Sequence, residues 1–172
     1  INGYEGNINK LTVDDKGTIL LAMFGAPPNA HEDDPERALR CAKELQTLAQ
    51  SQSLQLAVGV TTGRVFAGPV GSPARREYTI MGDTVNLAAR LMSLAGLGQI
   101  RCDYDTYRWA RHHLAFDSLP SVGVKGKAGL IRVYRPVGDA RTANHSPKAI
   151  STLVGRKTEM ARITAILDEI QS

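Results

Sequence analysis

No apolar run in this chain of 172 residues approaches the ~20 consecutive residues that a membrane-spanning helix needs, so no membrane association is expected. Cysteine is scarce: Cys41 and Cys102 are the whole complement. Standing singly, without CxxC spacing or a partnered His, they read as buried thiols in a reducing, cytoplasmic compartment. Aromatics are few, with three Phe and one Trp, and the basic residues behind the formal charge of +4 are scattered. A basic chain can bind nucleic acid, but this one has little to stack on bases, so RNA or DNA is not an expected partner. Internal repeats and low-complexity segments are also lacking. No signal peptide is visible at Ile1, and that start is expected to be a cut within a domain. What remains, 42% hydrophobic and 22% charged residues, is the make-up of an ordinary globular protein with room for one well-cored domain.

The stretch Arg75–Met92 carries the most chemistry. Glu77 to Ile80 read as the end of a strand, with β-branched Thr79 and Ile80 beside Tyr78. Gly82 breaks the strand, and Asp83 is the expected N-cap of a helix that buries Val85, Ala88 and Met92. Asn86 and Arg90, four residues apart, share another face of that helix. An amide beside a five-donor guanidinium suits a polyanionic ligand, and a strand end that opens a helix is a common place for nucleotide chemistry. On spacing alone the pair also fits two solvated side chains on an exposed face.

Elsewhere the pattern is regular. Residues 7–24 predict a β-hairpin that turns at Asp14–Gly17. Pro35 opens a helix whose stripe Ala38, Cys41, Ala42, Leu45, Leu48 and Ala49 is expected to be core. His31, Glu32, Asp33 and Asp34 could hold a metal, but an acidic helix start favoured by the macrodipole accounts for them more simply. Leu54–Thr61 and Arg64–Pro69 predict two further strands forming a hairpin, and Gln99–Cys102 a short strand before a helix over Asp103–Arg111. His112 and His113 read as helix-end groups. Leu114–Val124 and Leu130–Pro136 predict the last two strands.

Together these motifs resemble the class III nucleotidyl cyclases, the adenylate and guanylate cyclases, and most of all the branch containing soluble adenylyl cyclase. The resemblance rests on Arg75–Met92 with Tyr4–Lys10, Phe24–Pro28, Glu32–Ala42, Val58–Gly71 and Val124–Lys127, and covers residues 1–138. It implies an α+β, ferredoxin-like palm-type fold: a mostly antiparallel sheet with helices packed on one face, lacking its opening strand and helices. Residues 139–152 read as a linker. Residues 153–172 resemble the start of an AAA- or STAND-type ATPase module, implied as a C-terminal partner.

The implied reaction is ATP to cyclic AMP and pyrophosphate at the interface of two cyclase halves, with Mg²⁺ or Mn²⁺ held mainly by the partner half. Arg90 would stabilise charge on the α-phosphate and Asn86 would position the ribose. Lys10 and Thr79 would read adenine, and Lys125 would contact the triphosphate, although a plain basic hairpin fits Lys125 as well. Where the metal-binding half has a Gly–Asp pair, this chain has Gly17–Thr18, and a hydroxyl is a poor Mg²⁺ ligand. No metal ligand is therefore assigned, Asp14 and Asp15 being read as turn formers. The isolated chain is expected to be inactive without a second half, upstream in the same polypeptide or in another subunit. Two other readings stay open: a catalytically silent, nucleotide-sensing regulatory domain, and a nucleic-acid-binding ferredoxin-like domain.

Overall fold

The protein was analysed as a computed structural model that describes residues 1–14, 17–72, 75–123 and 129–140. All lie in the first of two units, Ile1–Ala140 and Arg141–Ser172. Lys125, most of the expected linker and the expected ATPase start fall outside the described residues.

The predicted hairpin forms from β1 (Asn7–Asp14) and β2 (Gly17–Met23), paired antiparallel with Asp14 opposite Gly17. Gly17 closes it at φ +126°, a backbone region that side chains other than glycine's adopt only at a cost. Helix α1 (Asp34–Ser51) follows, with Pro35 in its first turn. Its buried face is rotated from the expected stripe: Leu39 is fully buried with Cys41, Ala42 and Ala49, while Leu48 is 61% exposed. Strand β3 (Val58–Val60) is shorter than predicted and makes no hairpin with β4 (Phe66–Ser72), which pairs instead with β5 (Arg75–Met81). After α2 (Asp83–Leu94) comes β6 (Ile100–Asp103), parallel to β3. The reason is topological: a chain that leaves β3 and returns through a helix comes back running in the same direction.

Helix α3 (Tyr104–Ala110) and strands β7 (Leu114–Gly123) and β8 (Leu130–Asp139) complete the unit. The main sheet has the order β3-β6-β8-β7, with β8 antiparallel to both β6 and β7 and β3 parallel to β6. Strand alternation divides its side chains between two cores. Tyr134 joins Leu39, Ala42, Ile100, Cys102, Ala110 and Leu114 on one face, with Val58 and Val60 packed alongside. Val133, one residue earlier, meets Leu87 and Leu91 of α2. Helices α1 and α3 thus cover one face, as expected, while α2 lies on the opposite face. Burying a leucine such as Leu39 or Leu91 contributes about 2 kcal/mol.

Within the first core Tyr107 stacks on Tyr134, ring centroids 4.0 Å apart, and meets Phe116 edge-on at 5.3 Å. Trp109, on the same helix, is exposed. Asp103 caps α3 by accepting the Thr106 N–H at 3.0 Å. Both cysteines are buried and free, and burial pushes the Cys102 thiol well above its usual pKa. Among the described residues no helix is long and apolar enough to cross a membrane.

Candidate active site

The turn from β5 into α2 is the centre of the site. Gly82 occupies the cap position at φ +144°, and Asp83 is the first helical residue. The expected Asp83 cap is therefore corrected by one residue: the cap position falls on Gly82, which has no side chain with which to cap, and Asp83 is the first residue of the helix. It adds a negative charge to the first turn, where the helix dipole favours one. Three hydrogen bonds anchor this turn. Thr84 Oγ1 donates to the Arg64 carbonyl at 3.1 Å, Thr61 Oγ1 donates to the Thr84 carbonyl at 2.9 Å, and the Asn86 N–H donates to the Gly82 carbonyl at 3.1 Å.

The buried face of α2 also differs from expectation. Leu87 and Leu91 are buried, whereas Val85, Ala88 and Met92 are only half-buried. The cause is Gly59 on β3. With no side chain there, the helix backbone at Ala88 and Met92 closes directly onto the strand, and the leucines swing toward Val133. Asn86 and Arg90 lie away from this seam, one exposed and one half-buried. Neither side chain takes part in a hydrogen bond or ion pair among the described residues.

Lys10 and Thr79 are placed around the meeting of β1 and β5. Lys10 Nζ lies 3.8 Å from Glu77 Oε1, both side chains largely exposed. Thr79 stands half-buried two residues along β5, on the face of the strand that carries Glu77, and opposite Gly68 in the ladder. Lys125 is outside the described residues, so its approach to this site is an expectation only. Alongside, an open cleft of about 380 Å³ is lined by Asn7, Ile8, Asn9, Met23 and Tyr78, among others.

The acidic residues at the head of α1 are occupied structurally. Asp34 accepts the His31 N–H at 2.7 Å, and Arg37 bonds Glu5 at 2.6 Å and Asp33 at 2.8 Å. The hydrogen bond from Arg37 holds the Asp33 carboxyl below the usual aspartate range. Among the described residues no three His, Cys, Asp or Glu side chains gather as a metal site would require. At Gly17–Thr18, on the first residues of β2, the only side-chain oxygen is the Thr18 hydroxyl. These residues do not fit a catalytic divalent ion.

Two neighbours of the site were not anticipated. Asn9 is the extra residue of a bulge in β1, and Glu77 is the ion-pair partner of Lys10. The one sequence signal for Asn9 is that asparagine is a residue type strands disfavour. Nothing in the sequence marks Glu77, because its pairing crosses from one hairpin to another.

Comparison with known proteins bears on the family and the fold. The family model of the adenylate and guanylate cyclase catalytic domain matches residues 18–135. Adenylate cyclase type 10 of Homo sapiens is 38% identical over 135 residues, 77% of this chain and 8% of that protein. Its counterpart in Rattus norvegicus is 36% identical over 138 residues, 78% of the chain and 8% of that protein. The chain therefore spans a small part of the length of these curated relatives. Among solved structures, the guanylyl cyclase Cya2 superposes with a TM-score of 0.68 at 26% identity, covering 84% of this chain and 76% of that one. The adenylyl cyclase CyaB from P. aeruginosa gives 0.64 at 25% identity, covering 82% and 76%. The chain belongs to the adenylate and guanylate cyclase catalytic domain family.

Proposed function

We propose that this chain is one half of an adenylate cyclase, converting ATP to cyclic AMP and pyrophosphate at an interface with a second cyclase half. The observation that carries the reading is α2: Asn86 and Arg90, one turn apart and without a side-chain partner among the described residues, stand on a helix whose first turn is anchored three ways. Arg90 donates to the α-phosphate oxygens as charge builds there, and Asn86 holds the ribose so that its 3′-oxygen lies in line. Lys10 and Thr79 bring an ammonium and a hydroxyl to one edge of the base, a pairing that favours adenine, and Lys125 serves the triphosphate. Mg²⁺ or Mn²⁺ belongs to the partner half, and the residues of this chain act by binding and orienting.

A partner half is also supported by what β1, β2, β4 and β5 leave uncovered. Val13 is 73% exposed, Leu11 62% and Phe66 57%, with Ile8, Tyr78 and Met81 also open to solvent. Exposed apolar side chains gathered on these two hairpins are what an interface with a second half would cover. The setting proposed for the whole protein is the cytoplasm, with the C-terminal ATPase module as a neighbour in the chain.

The test is cyclic AMP formation from Mg²⁺-ATP by the intact protein, wild type beside Asn86→Ala and Arg90→Ala. Loss of about 10²–10³ in rate with ATP binding retained is expected for each. Equal rates in all three, or no cyclic AMP from the wild type with either metal, would sink the reading. Thr18, standing where a metal carboxylate is expected, is the observation that favours the second reading, a silent domain that senses nucleotide, and the same assay decides between them.

A further inference from the structure

Strand β1 carries one residue more than its partner between Ile8, opposite Ala22, and Lys10, opposite Leu21. The extra residue is Asn9. A bulge re-aims side chains that would otherwise follow the strand's alternation. Asn9 reaches across to the other hairpin, where its Nδ2 donates to the Tyr78 carbonyl oxygen at 3.4 Å. That carbonyl belongs to the peptide unit whose nitrogen is that of Thr79. The next residue, Lys10, reaches Glu77 on the same strand. Among the described residues the two hairpins share no ladder of backbone hydrogen bonds, so these side-chain contacts are what register β1 against β5.

The amide has one acceptable orientation, because a flip would set Oδ1 against the Tyr78 carbonyl, acceptor facing acceptor. As placed, Oδ1 is buried with no partner among the described residues. Leaving an acceptor in that state costs stability, and a β-branched residue at this strand position would avoid the cost. A polar side chain half-satisfied in this way is explained by where its one hydrogen bond falls.

We propose that Asn9 is the positioning residue for base recognition. By pinning the bulge of β1 to the peptide unit between Tyr78 and Thr79, it sets where Lys10 stands relative to Thr79, and so how closely the two grip an adenine edge. The inference rests on reading Lys10 and Thr79 as the base contacts. It is independent of the chemistry on α2.

The experiment compares wild type and Asn9→Ala in the intact protein. Cyclic AMP formation is followed across ATP concentrations, and ATP and GTP are each titrated as competitors of a fluorescent ATP analogue. The KM and Kd for ATP are expected to rise about five- to tenfold, what one net hydrogen bond is worth to a binding constant. The Kd for GTP should change by less than about twofold and kcat at saturating ATP should hold within about twofold, so preference for ATP falls while turnover persists. A merely structural role would lower the folded fraction, and with it kcat, leaving KM and the ATP-to-GTP ratio unmoved; that result overturns the proposal. An unchanged ATP affinity overturns it equally.

A wild type that binds ATP selectively but makes no cyclic AMP refutes the enzymatic reading alone, and the binding ratio still decides the role of Asn9. A wild type that binds the two nucleotides alike, or binds neither, removes both. Should Asn9→Ala not fold, Asn9→Thr keeps a strand-favouring residue at the bulge, lacks the reach to Tyr78, and carries the same expectations.

Discussion

Replacing Gly59 with alanine would set a methyl group 2.1 Å from the Ala88 carbonyl oxygen, 2.6 Å from the Met92 nitrogen and 3.1 Å from the Ala88 carbonyl carbon. All three are backbone atoms of α2, so no change of rotamer relieves the overlap. Ordinary contact begins near 3.4 Å, and going from 2.1 to 3.4 Å requires the helix to retreat by about 1.3 Å. Two effects compete. Alanine restricts the unfolded chain and would stabilise by about 0.4–1 kcal/mol if it fitted. Overpacking typically costs about 1–3 kcal/mol, and an obstacle made of backbone belongs at the upper end. The clash wins, and a net loss of about 2–2.5 kcal/mol lowers the melting midpoint by several degrees. The same retreat carries Asn86 and Arg90 with it. A displacement of about 1 Å in catalytic groups costs on the order of 10²-fold in rate. The proposed base contacts, Lys10 and Thr79, sit on the hairpins, so on that reading the loss should fall on kcat more than on the KM for ATP. Thermal unfolding and cyclic AMP formation by the intact Gly59→Ala protein measure the two effects side by side. Wild-type turnover together with an unchanged melt would refute the argument that this glycine seats the helix.

Two further expectations concern the cap of α3. Burial raises the Asp103 carboxyl above the usual aspartate range. The folded state therefore holds this proton more tightly than the unfolded chain, and stability falls as pH rises from near 3.8 through the raised folded value. Asp103→Asn keeps the cap and removes the titration, so its urea midpoint should gain on the wild type between about pH 4 and pH 7. A constant difference across that range would show that the carboxyl is not destabilised by burial. Thr106 is fully buried, and its hydroxyl shares a hydrogen bond with Thr62 at 2.9 Å. Thr106→Val keeps the shape but strands the Thr62 hydroxyl and should cost about 1–3 kcal/mol, part of which Thr62→Val restores in the double variant. Additive losses in a denaturant titration would refute that pairing.

Local signals told most of the fold. The first hairpin was readable from the acidic turn residues and Gly17, α1 from Pro35 and its periodicity, and α2 from the break at Gly82 followed by apolar spacing. What stayed hidden depended on partners distant in sequence. Leu39 rather than Leu48 is core because α1 is rotated onto Ile100, Cys102 and Tyr134, a rotation that the helical period alone leaves open. Leu87 and Leu91 are buried in place of Val85 because Gly59 lets the helix backbone press on β3, and a glycine in a three-residue strand announces only that something comes close. The candidate site divides in the same manner. Asn86 and Arg90 were legible as a pair because one helix fixes their relation. Lys10 and Thr79 were named through resemblance, and the bulge that joins their strands, with Asn9 at its centre, has no one-dimensional signature.

Under the proposed two-half function, the placement of α2 opposite α1 and α3 bears on what a second half would add. An arginine stabilises developing phosphate charge far more strongly in a water-excluded site than in bulk solvent. Arg90 is half-buried and Asn86 exposed, and the described unit places no cover over them. Met81, immediately before the turn into α2, is exposed, as are Tyr78 and Phe66 on the hairpin that leads to it. The polar pair and the apolar strands therefore want the same thing, a second surface that removes water from both. For the strands that contact supplies association free energy, and for Arg90 it supplies the low dielectric in which a single guanidinium is worth several kcal/mol to a transition state. Under the proposed function association and catalysis would rise together, because the surface joining the halves would also be the one that dries the site.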